Sequence, residues 1–153
     1  MATQEACRYL LTQMEGIAGV HRSIAKALPT GVLPPGVSVL YVLGRSDQPL
    51  RAGRVAELLE IDMSVVSRHI THLVDHGWVE RRPNPEDGRS CLLALTPEGH
   101  AVVANATEGR LAVVEDRLRD WSDTDAEQLA DLLRRLRSSL GYRADPLPVA
   151  VSH

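Results

Sequence analysis

Phenylalanine is absent from this sequence, and aromatic residues make up only 3% of it. A hydrophobic core must therefore be built from Leu, Val, Ile and Ala, with Trp78 and Trp121 as isolated large side chains. Lysine is nearly absent too, because Lys26 is the only one and arginine supplies the rest of the 17 basic residues. This bias suits the recognition of phosphate and guanine, although a GC-rich genome would produce it equally well.

Long apolar runs are also missing, and none approaches the roughly 20 residues that a bilayer span requires. The first residues, Met1–Glu5, lack the basic and apolar regions of a signal peptide. We therefore expect a cytoplasmic protein with no membrane partner. The two cysteines, Cys7 and Cys91, lie far apart in the sequence and make neither a metal knuckle nor a disulfide framework, so two reduced thiols are expected.

The sequence shows no arrangement typical of an enzyme. It has no nucleophile with a matching base, no glycine-rich phosphate loop and no paired carboxylates. With 153 residues, 44% of them hydrophobic, the chain can bury one core but is too short for a separate catalytic domain. We expect a single non-catalytic domain, without a cofactor or a metal.

The charge distribution does not by itself indicate a nucleic-acid partner. The net charge is −3, and residues 45–89 hold seven arginines against eight acidic residues. The acidity is greater in residues 98–140, with nine acidic residues against six arginines. Any case for DNA binding therefore depends on where individual arginines lie.

Residues 55–89 have the pattern of a helix, a turn, a second helix and a β-hairpin. In the second helix, Val66, Ile70 and Leu73 recur at helical spacing and form one apolar stripe. The helix is expected to begin after Asp62 as N-cap and to end at Gly77, and an Asp87-Gly88 turn predicts a tight hairpin. A short helix with a small polar outer face can enter a major groove, and here that face consists of Ser64, Ser67, Arg68, Thr71 and His72.

Three segments of this region carry a resemblance to a known family. They are GWVER at 77–81, DGR at 87–89 and LALTPEG at 93–99. Together they resemble the MarR family of bacterial transcription regulators, and the likeness extends over about residues 5–140. The resemblance implies a mainly α fold of α+β type, which is a winged helix-turn-helix with a two-stranded wing and dimerisation helices at both ends.

The helices that flank the motif carry longer apolar seams than a lone winged helix needs. One seam runs from Leu10 to Leu28 and is interrupted by His21, and another follows the leucines from 129 to 140. We expect one domain over 1–141, with the winged helix-turn-helix at about 50–96, dimerisation helices at about 4–28 and 97–141, and a flexible tail at 142–153. Pairing of these helices across a two-fold axis, which the resemblance also implies, predicts a homodimer; packing of the C-terminal pair within one subunit is the alternative.

Two further pairs of residues are candidates for DNA contacts. Asp87 and Arg89 are two apart, so on an extended strand they point to the same side, where the carboxylate can orient the guanidinium toward a narrow minor groove. The resemblance implies the same roles, and a simple surface ion pair is the alternative. Arg51 and Arg54, near the start of the first motif helix, are candidates for phosphate contacts.

Other residues suggest sensing functions. The family commonly binds small aromatic or anionic effectors in a crevice beside the dimerisation helices, and the residues here that are expected to line it are His21, Arg22, Ser38, Tyr41 and Arg110. A helical stripe of His69, His72 and His76 has the spacing of a metal site, but a polar flank is the more ordinary interpretation. Cys7 beside Arg8 is a candidate redox sensor, with a passive thiol as the alternative.

These patterns together predict a sequence-specific transcription regulator that binds double-stranded DNA at a pseudo-palindromic operator. The resemblance implies a repressor that a small-molecule effector releases. The alternatives are a redox- or metal-sensing regulator of the same fold, or a winged helix that makes protein contacts and does not bind DNA.

Overall fold

The computed structural model describes residues 1–29 and 31–141. The expected flexible tail at 142–153 lies outside the described residues. Six helices and two strands follow one another in this part of the chain, namely α1 (Gln4–Ala27), α2 (Val37–Arg45), α3 (Ala52–Leu59), α4 (Met63–Asp75), β1 (Val79–Pro83), β2 (Cys91–Leu95), α5 (Pro97–Arg117) and α6 (Asp123–Ser139). This mainly helical architecture with a two-stranded wing confirms the predicted fold class.

The core lies where α2, α3 and α4 meet the two strands. Val66, Ile70 and Leu73 of α4 are buried there, as their spacing predicts, together with Val55 of α3. From α2 the core takes Val39, Leu40 and Leu43. Since the apolar sides of these helices face inward, the opposite sides of α3 and α4 are exposed.

The strands form an antiparallel pair in which Val79 lies opposite Leu95 and Pro83 lies opposite Cys91. Cys91 is thus a strand residue of the wing. Leu50, just before α3, adds an isolated bridge to Leu93, with N–O distances of 3.0 and 2.8 Å. This bridge connects the wing directly to the start of the helix-turn-helix.

Local capping explains where several helices begin and end. The Thr96 side chain accepts the Gly99 N–H at the start of α5, and Ser122 and Asp125 form a complete capping box at the start of α6. Gly77 ends α4 in the left-handed conformation, and two backbone hydrogen bonds of the Schellman type close that end, with Trp78 N–H donating to Leu73 and Gly77 N–H to Val74.

Two predicted helix starts differ in detail from the structure. Asp62 is the N-cap of α4, but its side chain makes no capping hydrogen bond. Proline favours the first turn of a helix, which predicts a start of α2 at Pro35, but the helix begins at Val37, after Gly36 in the left-handed conformation. Gly36 is required there because an added Cβ would lie 2.9 Å from the Cβ of His69 and φ is +80°.

The first and last helices contribute little to this core. No residue of α6 is buried, and in the described part of α1 none is buried either. Trp121, expected as a core filler, is 47% exposed between α5 and α6, so that expectation was wrong. None of the helices in residues 1–29 and 31–141 has both the length and the apolar character that a bilayer span needs.

Candidate nucleic-acid interface

Helix α4 presents a polar face to the exterior. Ser64, Ser67, Arg68 and Thr71 are all exposed, opposite the buried stripe of the same helix. The Thr71 hydroxyl donates to the Ser67 carbonyl at 3.0 Å, which leaves the Arg68 side chain as the long, charged group on this face. The arrangement can supply hydrogen bonds to base edges and to phosphates.

His72, the fifth residue expected on this face, has different surroundings. It is half-buried, and its ring lies 4.1 Å from that of His76 and 6.3 Å from that of Trp78, between centroids. The His76 ring lies 4.8 Å from that of Trp78, and its Nδ1 is 2.7 Å from the His72 carbonyl oxygen. These three rings pack together where α4 joins the wing.

The histidine stripe is therefore divided between two environments. His69 packs against Gly36 at the start of α2, whereas His72 and His76 pack beside Trp78. Within residues 1–29 and 31–141, no group of three or more His, Cys, Asp or Glu side chains has the geometry of a metal site. The polar-flank interpretation fits this placement.

The turn between α3 and α4 contains a strained residue. Glu60 has φ of 54°, and it is the only residue other than glycine with positive φ in the described part of the chain. Its N–H donates to Glu57 and that of Ile61 donates to Ala56, so the turn has the hydrogen bonds of a Schellman motif. Glu60 therefore occupies a position that normally favours glycine.

The wing differs from the predicted tight hairpin. Residues 84–90 form a loop between Pro83 and Cys91, so Asp87 and Arg89 do not lie on an extended strand. Asp87 Oδ1 accepts the backbone N–H of Arg89 at 3.1 Å, and no ion pair between the two side chains occurs among the described residues. The expectation that this carboxylate orients the guanidinium was wrong, because it binds the backbone instead.

Carboxylates accompany several arginines of the motif. Arg51 Nη2 lies 3.9 Å from Glu86 of the wing loop, and Arg54 Nη1 lies 3.0 Å from Glu57. A third pair joins Arg82 to Glu80 on β1 at 2.5 Å, and Arg81 lies beside the thiol of Cys91. Arg68 and Arg89 are exposed, and neither forms an ion pair within the part of the chain that the structure describes.

Of the residues expected to bind an effector, the structure brings two together. The Arg110 Cζ lies 5.6 Å from the centroid of the Tyr41 ring, which is a cation–π arrangement. Tyr41 is 8% exposed, and its hydroxyl is buried without a hydrogen-bond partner among the described residues. His21, Arg22 and Ser38 are exposed on α1 and α2.

Sequence reasoning missed Asn84, which is 5% exposed and buried in the wing loop. Its amide donates to the Ser90 hydroxyl at 2.8 Å and its Oδ1 accepts the Glu86 N–H at 3.1 Å. The signal was present in the Pro-Asn-Pro sequence at 83–85, because Asn beside proline favours a side-chain-stabilised turn.

Comparisons with known proteins agree with this geometry. The sequence model of the MarR family matches residues 30–90. The HTH-type transcriptional regulator YwoH of Bacillus subtilis (strain 168) is 33% identical over 132 residues, which cover 83% of this chain and 93% of that protein. YdgJ of the same organism, also an HTH-type transcriptional regulator, is 27% identical over 131 residues, 86% of this chain and 79% of that protein.

Solved structures show the same fold. A MarR family protein from Bacillus stearothermophilus superposes with a TM-score of 0.74 at 18% identity, covering 92% of this chain and 99% of that one. The PcaV transcriptional regulator from Streptomyces coelicolor, solved in complex with its natural ligand, gives a TM-score of 0.65 at 21% identity, with the same coverage of both chains.

Proposed function

Because this chain belongs to the MarR family of transcription regulators, we propose that it is a homodimeric repressor that binds a pseudo-palindromic DNA operator. The observation that carries the proposal is the division of α4 into a buried apolar stripe and an exposed face with Arg68, next to a wing loop that exposes Arg89. We assign DNA reading to about residues 50–96 and dimerisation to the helices at about 4–28 and 97–141. Since its partner is the chromosome, we propose a cytoplasmic location.

In this proposal each part of the motif has a separate role. Helix α4 enters the major groove, where Arg68 donates to guanine or phosphate and the neighbouring hydroxyls complete the polar face. Arg89 of the wing enters the flanking minor groove. Arg51 and Arg54 contact phosphates, and the half-site centres lie about one helical turn, roughly 34–36 Å, apart.

The experiment is the sequencing of genomic fragments retained by the purified protein and by two variants, Arg68→Ala and Arg89→Ala, at two salt concentrations. The native protein should enrich a short inverted repeat that both variants lose. Arg45→Ala is the matched control, because Arg45 is an exposed arginine at the end of α2, outside the regions assigned to DNA reading and dimerisation. Equal retention by all four proteins, or enrichment of nothing, would contradict sequence-specific DNA binding and favour a protein-binding winged helix.

We further propose that a small aromatic or anionic effector releases the repressor by binding beside Tyr41 and Arg110. The support is the buried Tyr41 hydroxyl, which has no hydrogen-bond partner in the part of the chain that the structure describes, whereas such a group normally has one. The adjacent guanidinium supplies the positive charge that an anion needs. An effector acts if it binds better to a dimer whose two α4 helices are wrongly spaced for DNA.

Thermal unfolding with benzoate and 4-hydroxybenzoate tests this site. Either anion should raise the Tm of the native protein, and Arg110→Ala should abolish the increase. Arg117→Ala, an exposed arginine nearer the end of the same helix, is the control and should keep it. An unchanged Tm of the native protein with both anions at millimolar concentration would contradict an aromatic-anion effector of this kind.

A further inference from the structure

The wing loop is held together by polar side chains. Apart from Tyr41 with its buried hydroxyl, Asn84 is the one buried residue with a polar side chain in residues 1–29 and 31–141. Its side chain spans the loop, with Nδ2 donating to Ser90 Oγ at 2.8 Å and Oδ1 accepting the Glu86 N–H at 3.1 Å. Its backbone carbonyl accepts the Asp87 N–H at 3.3 Å. Asn84, the first residue of the loop, is thus hydrogen-bonded to Ser90, the last one.

Ser90 and Asp87 complete the network. The Ser90 hydroxyl, which accepts from Asn84, donates to the Asp87 carbonyl at 3.2 Å, and the Ser90 N–H donates to the same carbonyl at 3.0 Å. The Asp87 carboxylate in turn accepts the Arg89 N–H at 3.1 Å. We call these three side chains, Asn84, Asp87 and Ser90, the loop network.

No apolar packing replaces this network in the loop. Pro85, Glu86, Gly88 and Arg89 are all exposed. The backbone conformation from which the Arg89 side chain extends therefore depends mainly on the loop network, since the exposed pair of Glu86 with Arg51 at 3.9 Å is a weak contact. Without it the loop would sample many conformations, and DNA binding would have to restrict them, which lowers affinity.

We propose that Asn84 is a positioning residue that sets the point at which Arg89 enters the minor groove, and thereby determines the preference for the base pairs that flank each half-site. This inference rests on the proposed function, in which Arg89 contacts the minor groove. A·T-rich flanks give a narrow groove with enhanced negative potential, which favours an inserted arginine. A guanidinium held in one position distinguishes the potential of an A·T-rich groove from that of a G·C-rich one. A guanidinium on a disordered loop samples several positions, so its preference for A·T flanks is lost.

The test uses the full-length protein and two duplexes that share the operator half-sites and differ only in the flanks, A·T in one and G·C in the other. Fluorescence anisotropy gives the Kd for each. The native protein should prefer the A·T flanks, and Arg89→Ala should lose the preference. Asn84→Ala should lose most of it and weaken binding to the A·T duplex by about 5- to 100-fold, since a dimer carries two wings.

A double variant shows whether Asn84 acts through Arg89. Asn84→Ala combined with Arg89→Ala should bind like Arg89→Ala alone, because a missing guanidinium cannot be mispositioned. Gln48→Ala, at an exposed residue with a similar side-chain amide between α2 and α3, outside the regions assigned to DNA reading and dimerisation, is the matched control and should keep the native flank preference. Ser90→Ala removes the hydrogen-bond partner of the Asn84 amide and leaves the buried Asn84 in place. It should also reduce the preference for A·T flanks. Two variants are used so that a folding defect in one of them does not decide the result.

Two outcomes would overturn the proposal. One is a native flank preference in Asn84→Ala and Ser90→Ala, and the other is additive losses in the double variant, which would mean that Asn84 acts on stability and not on Arg89. Failure of the proposed function is distinguishable from both, because the native protein itself would then bind neither duplex. Binding of the native protein without any flank preference would contradict the minor-groove role of Arg89 and this inference with it.

Discussion

At the scale of single residues, backbone strain lies at the turn of the helix-turn-helix. Glu60 keeps φ of 54° because the hydrogen bonds that close α3 require a left-handed residue there. A Cβ in this conformation costs roughly 1–2 kcal/mol relative to glycine. The surrounding packing of α3 and α4 maintains the turn in spite of this strain.

We therefore predict that Glu60→Gly raises the free energy of unfolding by about 1 kcal/mol, as measured by urea denaturation. The expected gain in stability is at the lower end of the strain energy of roughly 1–2 kcal/mol, because glycine also loses more backbone freedom on folding. Glu60→Ala keeps the Cβ and removes the charge, so its stability should stay near that of the native protein. An equal gain from Ala and Gly would show that charge, and not strain, is the cause.

Gly99 on α5 is a residue that packing requires. A Cβ there would overlap the Trp78 carbonyl oxygen and lie 2.9 Å from the Trp78 carbonyl carbon. We predict that Gly99→Ala lowers the free energy of unfolding by about 1–3 kcal/mol, because α5 must move away from the wing. Gly16→Ala on α1, where no described residue lies within 4 Å of the added Cβ, is the control and should stabilise the protein by about 0.5–1 kcal/mol. A Gly99→Ala protein as stable as the native one would contradict the close approach.

At the scale of elements, the wing and α3 are connected twice. The bridge between Leu50 and Leu93 joins their backbones, and the pair of Arg51 with Glu86 joins their side chains at 3.9 Å. The second connection uses Arg51, which in the proposed function contacts a DNA phosphate. DNA binding must then exchange a carboxylate for a phosphate at Arg51.

We predict that Glu86→Gln raises DNA affinity by about 2- to 5-fold, which is a small effect because exposed ion pairs are weak. The increase should vanish in an Arg51→Ala background, where no guanidinium is left to release. Glu127→Gln on α6 makes the same change in net charge away from the motif, and it serves as the control. An equal increase from Glu127→Gln, or one that persists without Arg51, would mean that only the overall charge matters.

At the scale of the whole molecule, the exposed apolar surface is unevenly distributed. Large hydrophobic side chains are exposed along α1, and at or near α6, where they include Tyr9, Leu11, Val20, Leu129, Leu132 and Leu140. Neither helix buries a described residue within the single chain. Exposure of this many large apolar side chains on two helices is typical of an interaction site, which agrees with the proposed dimer.

We predict that Leu132→Asp separates the dimer, with a rise in the dimer Kd of more than about 100-fold, because a charge would be buried without a partner. Sedimentation equilibrium measures this directly, and operator binding should be lost in parallel. Leu58→Asp is the matched control, since Leu58 is exposed on α3, outside the proposed interface. A dimer of native stability in Leu132→Asp would place the interface elsewhere.

Patterns within a few residues determined much of this protein. The spacing of Val66, Ile70 and Leu73 predicted a helix that the structure has. The Thr96 and Ser122 side chains that cap α5 and α6 are signals of the same local kind. These patterns are reliable because their energies arise between residues up to about four positions apart, where the sequence alone specifies the neighbours. The DNA contacts assigned to Arg51, Arg54, Arg68 and Arg89 stay predictions.

Only the tertiary structure decided which distant groups meet. It placed Arg110 over the ring of Tyr41, brought Glu86 to Arg51, and left Trp121 exposed instead of in the core. It also showed that Asp87 binds the Arg89 backbone, because the buried Asn84 side chain holds a longer loop than a tight turn allows. Such contacts depend on how whole elements pack and on which polar groups must be satisfied when buried, and neither is encoded in a local spacing.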